Sequence, residues 1–340
     1  MEKSTIQKAG AKLWRAKLSR PFSTAKGQHD LLENVLFSVE LSNGIRGFGE
    51  AAVATHITGE TVQETLKNLK EAARLVPGKD LPEFPSIVEL LKDKFAKNRC
   101  ALAAVEMAFL DATMREKKQP LWRAFGTRTR TLRTDMTVVL GDVPEAENAT
   151  REILRRGIRS FKVKIGRDFD LDLRRVAAVA RIAGPCPLYL DANQGFTAAQ
   201  TLKFLKELAW LKIQPALVEQ PVPKEDWEGL AKVTRESGVL VCADESVSSF
   251  QDAQRIIKKK AAGAINVKFT KTGILEAYEI ARLAQRNGVK LMIGTMMETP
   301  LAVTAAAHFA AGLGGFDFVD LDAPFFMSEK VTRGSFVTRS

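Results

Sequence analysis

The sequence of 340 residues predicts an α/β fold, in which a barrel of alternating strands and helices follows a smaller α+β domain. From residue 134 onward, short apolar runs alternate with amphipathic stretches of helical periodicity at a nearly constant interval. A repeat of this length accommodates one strand, one helix and two loops, as in parallel α/β proteins. The first 130 residues instead carry two alternating runs and then three helical stretches, a pattern typical of a separate α+β domain.

The first domain, residues 1–130, is predicted to begin with a small antiparallel sheet. AKLWRAKLS (11–19) and NVLFSVELS (34–42) alternate apolar and polar residues, and the turn pair Asn43-Gly44 leads into IRGFGEA. Apolar residues then recur at helical spacing in TVQETLKNLKEAARLV, SIVELLKDKFAK and RCALAAVEMAFLDATMREK. We therefore expect three strands followed by three helices in this domain.

The second domain, residues 131–340, is predicted to contain eight strands and seven intervening helices. The strand segments are TVVL (137–140), SFKVKIG (160–166), PLYLDAN (187–193), ALVEQP (216–221), VLVCADES (239–246), AINVKFT (264–270), VKLMIGTM (289–296) and FVDLDAP (318–324). Several of the helical stretches end at a glycine, the usual helix stop. The pattern favours a (β/α) barrel without a full eighth helix. An open doubly wound sheet is the alternative, and it loses support because no glycine-rich nucleotide-binding motif follows a strand.

Composition limits the class of partner. The net charge of +11 invites a nucleic-acid-binding interpretation, but 40 acidic residues are interspersed and aromatic residues make up only 7%. We therefore expect no nucleic-acid partner. The 3 cysteines indicate neither a disulfide framework nor a thiolate metal site. No apolar stretch has the length of a membrane span or of a signal-peptide core, so we expect a cytoplasmic protein with no membrane partner. A homo-oligomer is possible.

Charged residues end several of the predicted strands. The steps between successive charges are 27, 28, 25 and 24 residues, through Lys164, Asp191, Glu219, Asp244 and Lys268. Because strand side chains alternate, Lys162 shares a face with Lys164, Asn266 with Lys268, and Asp320 with Asp322, while Val163, Val267 and Leu321 face the surrounding helices. Buried lysines are rare unless they are paired or functional, so this pattern predicts a site.

Three consecutive strands end on a carboxylate, at Asp191, Glu219 and Asp244. One such acid alone has a structural explanation, since an acidic side chain often caps the next helix. Three converging carboxylates repel one another without a cation, and three oxygen ligands with open positions suit Mg²⁺. The chain has only 3 histidines, none near these acids, which disfavours zinc or non-haem iron.

Two lysines are predicted on opposite sides of the barrel, because Lys164 lies on its second strand and Lys268 on its sixth. A substrate carboxylate on Mg²⁺ would present its α-carbon between the two amines, and the metal would stabilise the enediolate formed when the α-proton leaves. A lysine base must be neutral, and we expect desolvation and neighbouring cations to lower its pKa. Two opposed bases predict racemisation or epimerisation by 1,1-proton transfer.

These motifs resemble those of the enolase superfamily, in its muconate-cycloisomerase-like subgroup. The matching stretches are K-x-K at 162–164, DANQG at 191–195, EQP at 219–221, ADES at 243–246 and NVKFTKTGI at 266–274. The resemblance covers nearly the whole chain. It implies a (β/α)7β TIM-like barrel behind an N-terminal α+β capping domain, whose loop near 21–30 covers the substrate. It also implies the metal ligands and lysine bases named above, with Lys162 supporting the developing charge and Asn193, Glu245 and Asn266 supporting the site.

The stretch DLDAP resembles the last-strand motif of dipeptide epimerases, the L-Ala-D/L-Glu epimerase group. That likeness implies that Asp320 and Asp322 hold the N-terminal ammonium of a dipeptide whose C-terminal residue is epimerised. A simple pairing of the two acids with nearby lysines is the alternative. The stretch MIGTMMET (292–299) is also similar to that group, and Met296, Met297 and Glu298 are expected to shape the pocket.

One departure affects the predicted side chain of the substrate. Members of the Ala-Glu group typically have an arginine in the loop near 21–30, and this sequence offers Lys26 instead, which lacks the bidentate geometry of arginine. The dipeptide is therefore L-Ala-D/L-Glu-like or another L-Xaa-L/D-Xaa. An N-acylamino acid racemase, an o-succinylbenzoate synthase or a cycloisomerase of the same subgroup is the alternative function. A short closing segment is expected after the last strand.

Overall fold

The computed structural model describes residues 4–25 and 27–328. It begins with a three-stranded antiparallel sheet in the order β1-β2-β3. The strands are β1 (Ile6–Thr24), β2 (Gly27–Leu41) and β3 (Arg46–Ala51). The predicted strands are confirmed, but β1 and β2 are longer than expected. They pair as far as Thr24 and Gly27, so the predicted loop near 21–30 is mostly the end of a hairpin.

Helices of the N-terminal domain pack on one face of this sheet. The helices are α1 (Thr55–Thr58), α2 (Val62–Leu75), α3 (Phe84–Lys94) and α4 (Arg99–Glu116), with 3-10 turns at Leu81–Glu83 and Leu121–Ala124. Glycines on β3 let α4 approach closely, because a Cβ at Gly49 would lie 1.9 Å from the main-chain oxygen of Ala104. The three predicted helices are present, and they bury an apolar core of their own against the sheet.

Eight parallel strands form the second sheet, in an order that follows the chain from β4 to β11. The strands are β4 (Met136–Val138), β5 (Phe161–Lys164), β6 (Leu188–Asp191), β7 (Leu217–Glu219), β8 (Leu240–Ala243), β9 (Ala264–Val267), β10 (Lys290–Gly294) and β11 (Phe318–Asp320). Seven of the predicted strand segments contain one of these strands and the first, TVVL (137–140), overlaps β4, which confirms the barrel over the open doubly wound sheet.

The two edge strands meet and close the barrel. The N–H of Asp135, just before β4, donates to the main-chain oxygen of Val319 on β11 at 2.9 Å. The N–H of Leu321 donates to the hydroxyl of Thr134 at 2.9 Å on the same seam. The first and last strands of the barrel are therefore neighbours, and residues after β11 lie beside residues on β4.

Helices surround the barrel, one after nearly every strand. They are α5 (Val143–Arg155), α6 (Phe169–Ala183), α7 (Ala198–Trp210), α8 (Trp227–Glu236), α9 (Phe250–Lys259), α10 (Phe269–Thr272), α11 (Ile274–Arg286) and α12 (Pro300–Leu313). The short helix α10 was not predicted. In the part of the chain that the structure describes, no helix has both the length and the apolar character to cross a membrane.

Alternation along the strands separates two environments. Outward residues such as Val163, Val267 and Leu321 belong to the large core between the strands and the helices, as the parity argument predicts. Inward residues at the amino ends of the strands form a small apolar layer inside the barrel, made of Tyr189, Leu217, Cys242, Ala264 and Met292. Two residues further along β6, β7 and β8, the inward positions are the acids Asp191, Glu219 and Asp244, whereas on β9 and β10 they are Asn266 and Gly294. The barrel interior is therefore apolar near the amino ends of the strands and polar near their carboxyl ends.

Two glutamates of the N-terminal domain bind helices of the barrel at their N-termini. Glu50 on β3 accepts the N–H and hydroxyl of Thr299, at 3.0 and 2.5 Å, before α12 begins. Glu106 on α4 accepts the N–H groups of Ile274 and Leu275 at the start of α11. Helix N-termini carry unpaired N–H groups and favour negative charge, so both contacts join the domains specifically.

The chain returns to the N-terminal domain after β11. A 3-10 turn at Ala323–Phe326 follows, and Met327 then pairs with Leu18 on β1. The N–H of Ser328 donates to the main-chain oxygen of Lys17 at 3.0 Å. Within the described residues no eighth helix follows β11, as predicted, and the segment after β11 reaches the other domain.

Candidate active site

The charged side chains lie at one level of the barrel because the strand register aligns them. Lys164 is paired with Asp191, and Asp191 with Glu219, on three neighbouring strands. Gly294 on β10 is paired with Asp320 on β11. A Cβ at Gly294 would lie 2.9 Å from Lys268 Cε, so glycine leaves the space that this lysine occupies.

Lys162 stands at the centre of the carboxylates. Its Nζ lies 2.9 Å from Asp191 Oδ2, 2.9 Å from Glu219 Oε2 and 2.6 Å from Asp320 Oδ2. All four side chains are buried. Burial alone favours the neutral amine, but Asp191, Asp320 and Glu219 outweigh it and raise the pKa of Lys162 well above its usual range. Lys162 is therefore a fixed positive charge that contacts Asp191, Glu219 and Asp320 together.

The two predicted bases each contact a predicted metal ligand. Lys164 Nζ donates to Asp191 Oδ2 at 2.6 Å and to Asn193 Oδ1 at 3.0 Å. Lys268 Nζ donates to Asp244 Oδ2 at 2.9 Å. Both lysines are buried and both line the same cavity.

The expectation of a lowered lysine pKa is wrong for Lys268 in this structure. Burial favours the neutral amine, but the carboxylate of Asp244, with those of Glu219 and Asp320, has the larger effect and raises the pKa of Lys268. The physical reason is that the acids around this lysine outnumber the cations. The surrounding carboxylates therefore favour the ammonium form of Lys268.

Asp244 has a second cationic partner that sequence reasoning missed. Lys271, on the short helix α10, donates to Asp244 Oδ1 at 2.6 Å and to the main-chain oxygen of Asn266 at 3.0 Å. The pKa of Asp244 is lowered because Lys268 and Lys271 outweigh the effect of burial. The signal was present in the sequence, since Lys271 follows Lys268 by one helical turn in NVKFTKTGI.

The surroundings of Glu219 indicate whether Asp191, Glu219 and Asp244 fit a metal ion. Glu219 Oε2 forms the ion pair with Lys162 but accepts no hydrogen bond from any described residue, while Oε1 accepts from Asn266 Nδ2 at 2.8 Å. Burial, with Asp191 adding to the effect, raises the pKa of Glu219 to about 7. A buried carboxylate oxygen without a donor is costly, and a divalent cation satisfies it. Asp191, Glu219 and Asp244 offer only oxygen, the ligand atom that Mg²⁺ prefers, so the donor set fits.

Other predicted supporting residues lie around these acids. Asn193 Nδ2 donates to Glu245 Oε1 at 3.4 Å, and Glu245 Oε2 has no hydrogen-bond partner among the described residues. Burial, with Asp244 adding to the effect, raises the pKa of Glu245 to about 7. Asn193, Glu245 and Asn266 are all buried, so they support the charged layer from within the barrel.

A second group of acids lies at the seam of the barrel. Oxygens of Asp135, Asp320 and Asp322 lie within 4.8 Å of one another, and this is the one acidic trio so close among the described residues. Asp322 Oδ2 accepts the N–H of Thr137 at 2.7 Å. Burial, with Asp320 adding to the effect, raises the pKa of Asp322 to about 6. Sequence reasoning found Asp320 and Asp322 but missed Asp135, which precedes its strand and carries no motif.

A cavity between the two domains joins these groups. Its polar wall from the barrel includes Lys162, Lys164, Lys268, Asp320 and Asp322. Its apolar wall consists of Phe22, Leu31, Leu32, Val53, Ala54 and Ile57 from the N-terminal domain, with Met296, Met297 and Ala323 from the barrel. Phe22 lies against the base, since its ring centroid is 5.9 Å from Lys164 Nζ.

Met297 lines the cavity as expected, whereas Glu298 differs from the expectation in position. The main-chain oxygen of Met297 accepts from Asn34 Nδ2 at 2.9 Å. Glu298 is buried and does not belong to the described lining. The carboxylate of Glu298 accepts the N–H of Met296 at 3.0 Å, so Glu298 supports the cavity wall by holding the main chain of Met296. Lys26 lies outside the described residues.

A cavity that gathers lysines and carboxylates at the carboxyl ends of barrel strands is typical of the active site of an enzyme. The family model for "Enolase C-terminal domain-like" matches residues 145–339. The model for "Mandelate racemase / muconate lactonizing enzyme, N-terminal domain" matches residues 9–126. The chain therefore belongs to the enolase superfamily, in its mandelate racemase and muconate lactonizing enzyme branch.

Similar proteins share a narrower description. A hydrophobic dipeptide epimerase from Citrifermentans bemidjiense is 49% identical over 98% of this chain and 92% of its own length. An aromatic dipeptide epimerase from Herpetosiphon aurantiacus is 39% identical over 98% of this chain and 94% of its own. The crystal structure of a dipeptide epimerase from Enterococcus faecalis, complexed with Mg and L-Leu-L-Tyr, has a TM-score of 0.92 and 32% identity, covering 96% of this chain and 92% of that chain.

Proposed function

We propose that this chain is a Mg²⁺-dependent dipeptide epimerase that inverts the α-carbon of the C-terminal residue and prefers dipeptides with apolar side chains. One observation carries the proposal. A single cavity presents three lysines, an acid pair and an apolar wall, which match the carboxylate end, the ammonium end and the side chains of such a substrate. The relatives described as hydrophobic and aromatic dipeptide epimerases support the same substrate class.

Lys164 and Lys268 are the proposed proton-transferring groups. Lys164 is the last residue of β5 and Lys268 directly follows β9, and both side chains line the cavity. In one turnover, a neutral lysine takes the α-proton on one face and the ammonium of the other lysine returns a proton on the opposite face. Inversion requires both groups, because a single base returns the proton to the face from which it came.

Asp191, Glu219 and Asp244 would hold Mg²⁺, which when bound stabilises the negative charge that grows on the substrate carboxylate as the α-proton leaves. Lys162 contributes a second, fixed positive charge beside the same carboxylates, at 2.9 Å from both Asp191 and Glu219. Its raised pKa keeps it charged at neutral pH, so it orients the substrate carboxylate and does not compete for the proton.

The ends of the cavity are proposed to fix the rest of the dipeptide. Asp320 and Asp322 bind the N-terminal ammonium, as a charge-assisted hydrogen-bonding pair. Phe22, Leu31 and Ile57 face the side chains from the N-terminal domain and exclude water from the reacting atoms. Glu33 and His56 also line the cavity from the N-terminal domain, but the described lining there is mostly apolar, which favours apolar residues over glutamate.

Deuterium exchange tests the proposal directly. The enzyme with Mg²⁺ is incubated in D₂O with two L,L-dipeptides of similar size, L-Ala-L-Leu and L-Ala-L-Glu, and the products are analysed by NMR and chiral chromatography. We expect deuterium at the α-carbon of the C-terminal leucine together with the L,D product, and a kcat/KM at least about tenfold lower for the glutamate dipeptide. Exchange in N-acetyl-leucine but in neither dipeptide would instead support an N-acylamino acid racemase.

A further inference from the structure

Asp135 is a buried acid at the seam of the barrel that the proposed reaction does not use. Its side chain is 1% exposed, and its N–H is taken by Val319 on the last strand. It is not among the described residues that line the cavity. Its oxygens nevertheless lie within 4.8 Å of those of Asp320 and Asp322, which do line it. Asp135 therefore lies directly behind the acid pair, out of reach of the substrate.

The three acids differ in their partners. Asp320 receives a hydrogen bond from Lys162 at 2.6 Å, and Asp322 receives one from the N–H of Thr137 at 2.7 Å. Neither oxygen of Asp135 has a hydrogen-bond partner within residues 4–25 and 27–328. A buried carboxylate with no donor is strongly disfavoured, and two carboxylates beside it increase the cost.

Charged and titratable groups act on Asp135 from several neighbouring segments. Asp320 at the end of β11 and Asp322 just after it face Asp135, as do Lys162 from β5 and Glu219 from β7, and the charge of Asp135 also acts on Tyr189 of β6. Burial, with Asp320 and Asp322 adding to the effect, raises the pKa of Asp135 well above its usual range. Lys162 opposes this change, but it is already shared among Asp191, Glu219 and Asp320.

We propose that Asp135 is a protonated positioning residue, whose carboxyl group donates a hydrogen bond to Asp320 or Asp322 and holds that carboxylate toward the cavity. The inference rests on the proposed function, in which this pair binds the substrate ammonium. The proton stays within the cluster, and no bond to the substrate forms or breaks at Asp135.

This proton also sets which cation the cluster accepts. Three ionised carboxylates with oxygens this close form a site of the kind that binds a divalent metal. With Asp135 neutral, two carboxylates remain and one of them already contacts Lys162, so the remaining charge suits a monovalent ammonium. The proton therefore keeps divalent metal out of the ammonium site, although the neighbouring acids of the same barrel fit Mg²⁺.

Infrared spectroscopy and metal analysis test the protonation without any substrate. Asp135→Asn replaces the carboxyl group by an isosteric amide that still donates a hydrogen bond. The difference spectrum between wild type and D135N at neutral pH should contain the carbonyl stretch of one protonated carboxylic acid. Manganese titration followed by elemental analysis should give one bound metal per chain for both proteins. The absence of the carbonyl band, or a second metal bound by wild type and lost in D135N, would overturn the proposal.

Kinetics separate a positioning role from a structural one. We expect D135N to retain kcat/KM for the dipeptide within about threefold, while Asp135→Ala, which removes the donor, loses about tenfold, mainly through KM. D135N should thus rescue most of what D135A loses. Equal losses in both variants would show that the charge of Asp135 is needed, and no loss in either would show that it positions nothing; each result contradicts the proposal. If D135A does not fold, the spectroscopic and metal results with D135N decide.

The two proposals fail in different ways. If wild type epimerises no dipeptide, the proposed function is wrong, while the carbonyl band and the metal count still report on Asp135. If wild type epimerises dipeptides but shows no such band, the function stands and the inference on Asp135 is wrong.

Discussion

The barrel and the N-terminal domain contribute to the same cavity in different ways. The barrel supplies charged side chains from strand ends, and the register between neighbouring strands fixes their level, as for Lys164 beside Asp191. The N-terminal domain supplies apolar side chains from a hairpin end and a four-residue helix, such as Leu31 and Ile57. Under the proposed function, the barrel carries the proton transfer and the ammonium site, and the N-terminal domain contributes most of the apolar wall that faces the substrate side chains. Changes in the two regions should therefore have different effects.

The largest effect is expected for the lysines of the barrel. Lys268→Ala should lower kcat for epimerisation about 10³-fold, because it removes one of the two proton-transferring groups. The variant should still exchange the α-proton of one epimer with D₂O, and Lys164→Ala should exchange that of the other. The measurement is deuterium incorporation into each pure epimer by NMR.

A surface lysine provides the matched control for this prediction. Lys259→Ala removes an exposed ion pair with Glu228, which contributes little, and it should leave both activities unchanged. If Lys164→Ala and Lys268→Ala exchange the same epimer, the two lysines do not act on opposite faces and the two-base assignment is wrong.

A smaller effect is expected at the acid pair. Asp320→Asn should raise KM for a dipeptide about 10- to 100-fold with a smaller change in kcat, since it removes one charge from the ammonium site. Inhibition by the N-acetylated dipeptide, which has no ammonium, should not weaken. The measurement is a steady-state comparison of KM for the dipeptide and of inhibition by the acetylated compound. An equal loss of affinity for both compounds would mean that Asp320 does not bind the ammonium.

The difference between the regions also explains what could be predicted from the sequence. Period-two alternation and the regular spacing of Asp191, Glu219 and Asp244 indicated the strands and their charged ends, because local geometry determines both. The apolar wall had no such signal, since Ile57 and Leu31 resemble any core residues until the domains are packed together. Asp135 was missed for the same reason. It reaches the site only because the first and last strands meet, a contact between residues far apart in the chain.

The N-terminal domain should alter selectivity with little effect on the chemistry. Leu31 lines the cavity and is 39% exposed, so a lysine is tolerated there. Leu31→Lys should lower the ratio of kcat/KM for L-Ala-L-Leu over L-Ala-L-Glu about tenfold, because the new cation attracts the acidic side chain. Leu90→Lys, at an exposed leucine of α3 in the same domain and outside the described lining, is the matched control. An equal loss of kcat/KM with both dipeptides would mean that Leu31 maintains the structure of the site and does not determine its selectivity.

The smallest effect is expected for the pH dependence of stability at Glu106, one of the two contacts that join the N-terminal domain to the barrel. Burial raises the pKa of Glu106 from 4.5 to about 7, although the N–H groups of Ile274 and Leu275 oppose the change. The folded protein therefore binds a proton at Glu106 more tightly than the unfolded chain does. Between about pH 4.5 and 7 the folded state holds the additional proton, so the free energy of unfolding decreases as the pH rises through this window. Glu106→Gln has no such proton to lose.

The free energy of unfolding of wild type relative to Glu106→Gln should accordingly fall by about 1–3 kcal/mol between pH 4.5 and 7. Urea denaturation of both proteins at several pH values measures this difference. The free energy of unfolding of wild type relative to Glu50→Gln, at the other contact between the domains, should also fall as the pH rises, because burial raises the pKa of Glu50 as well. A difference that grows with pH would mean that the Glu106 carboxylate is stabilised in the folded protein. The contact would then act as a charged helix cap, and the N-terminal domain would be held in place by charge as well as by its apolar face.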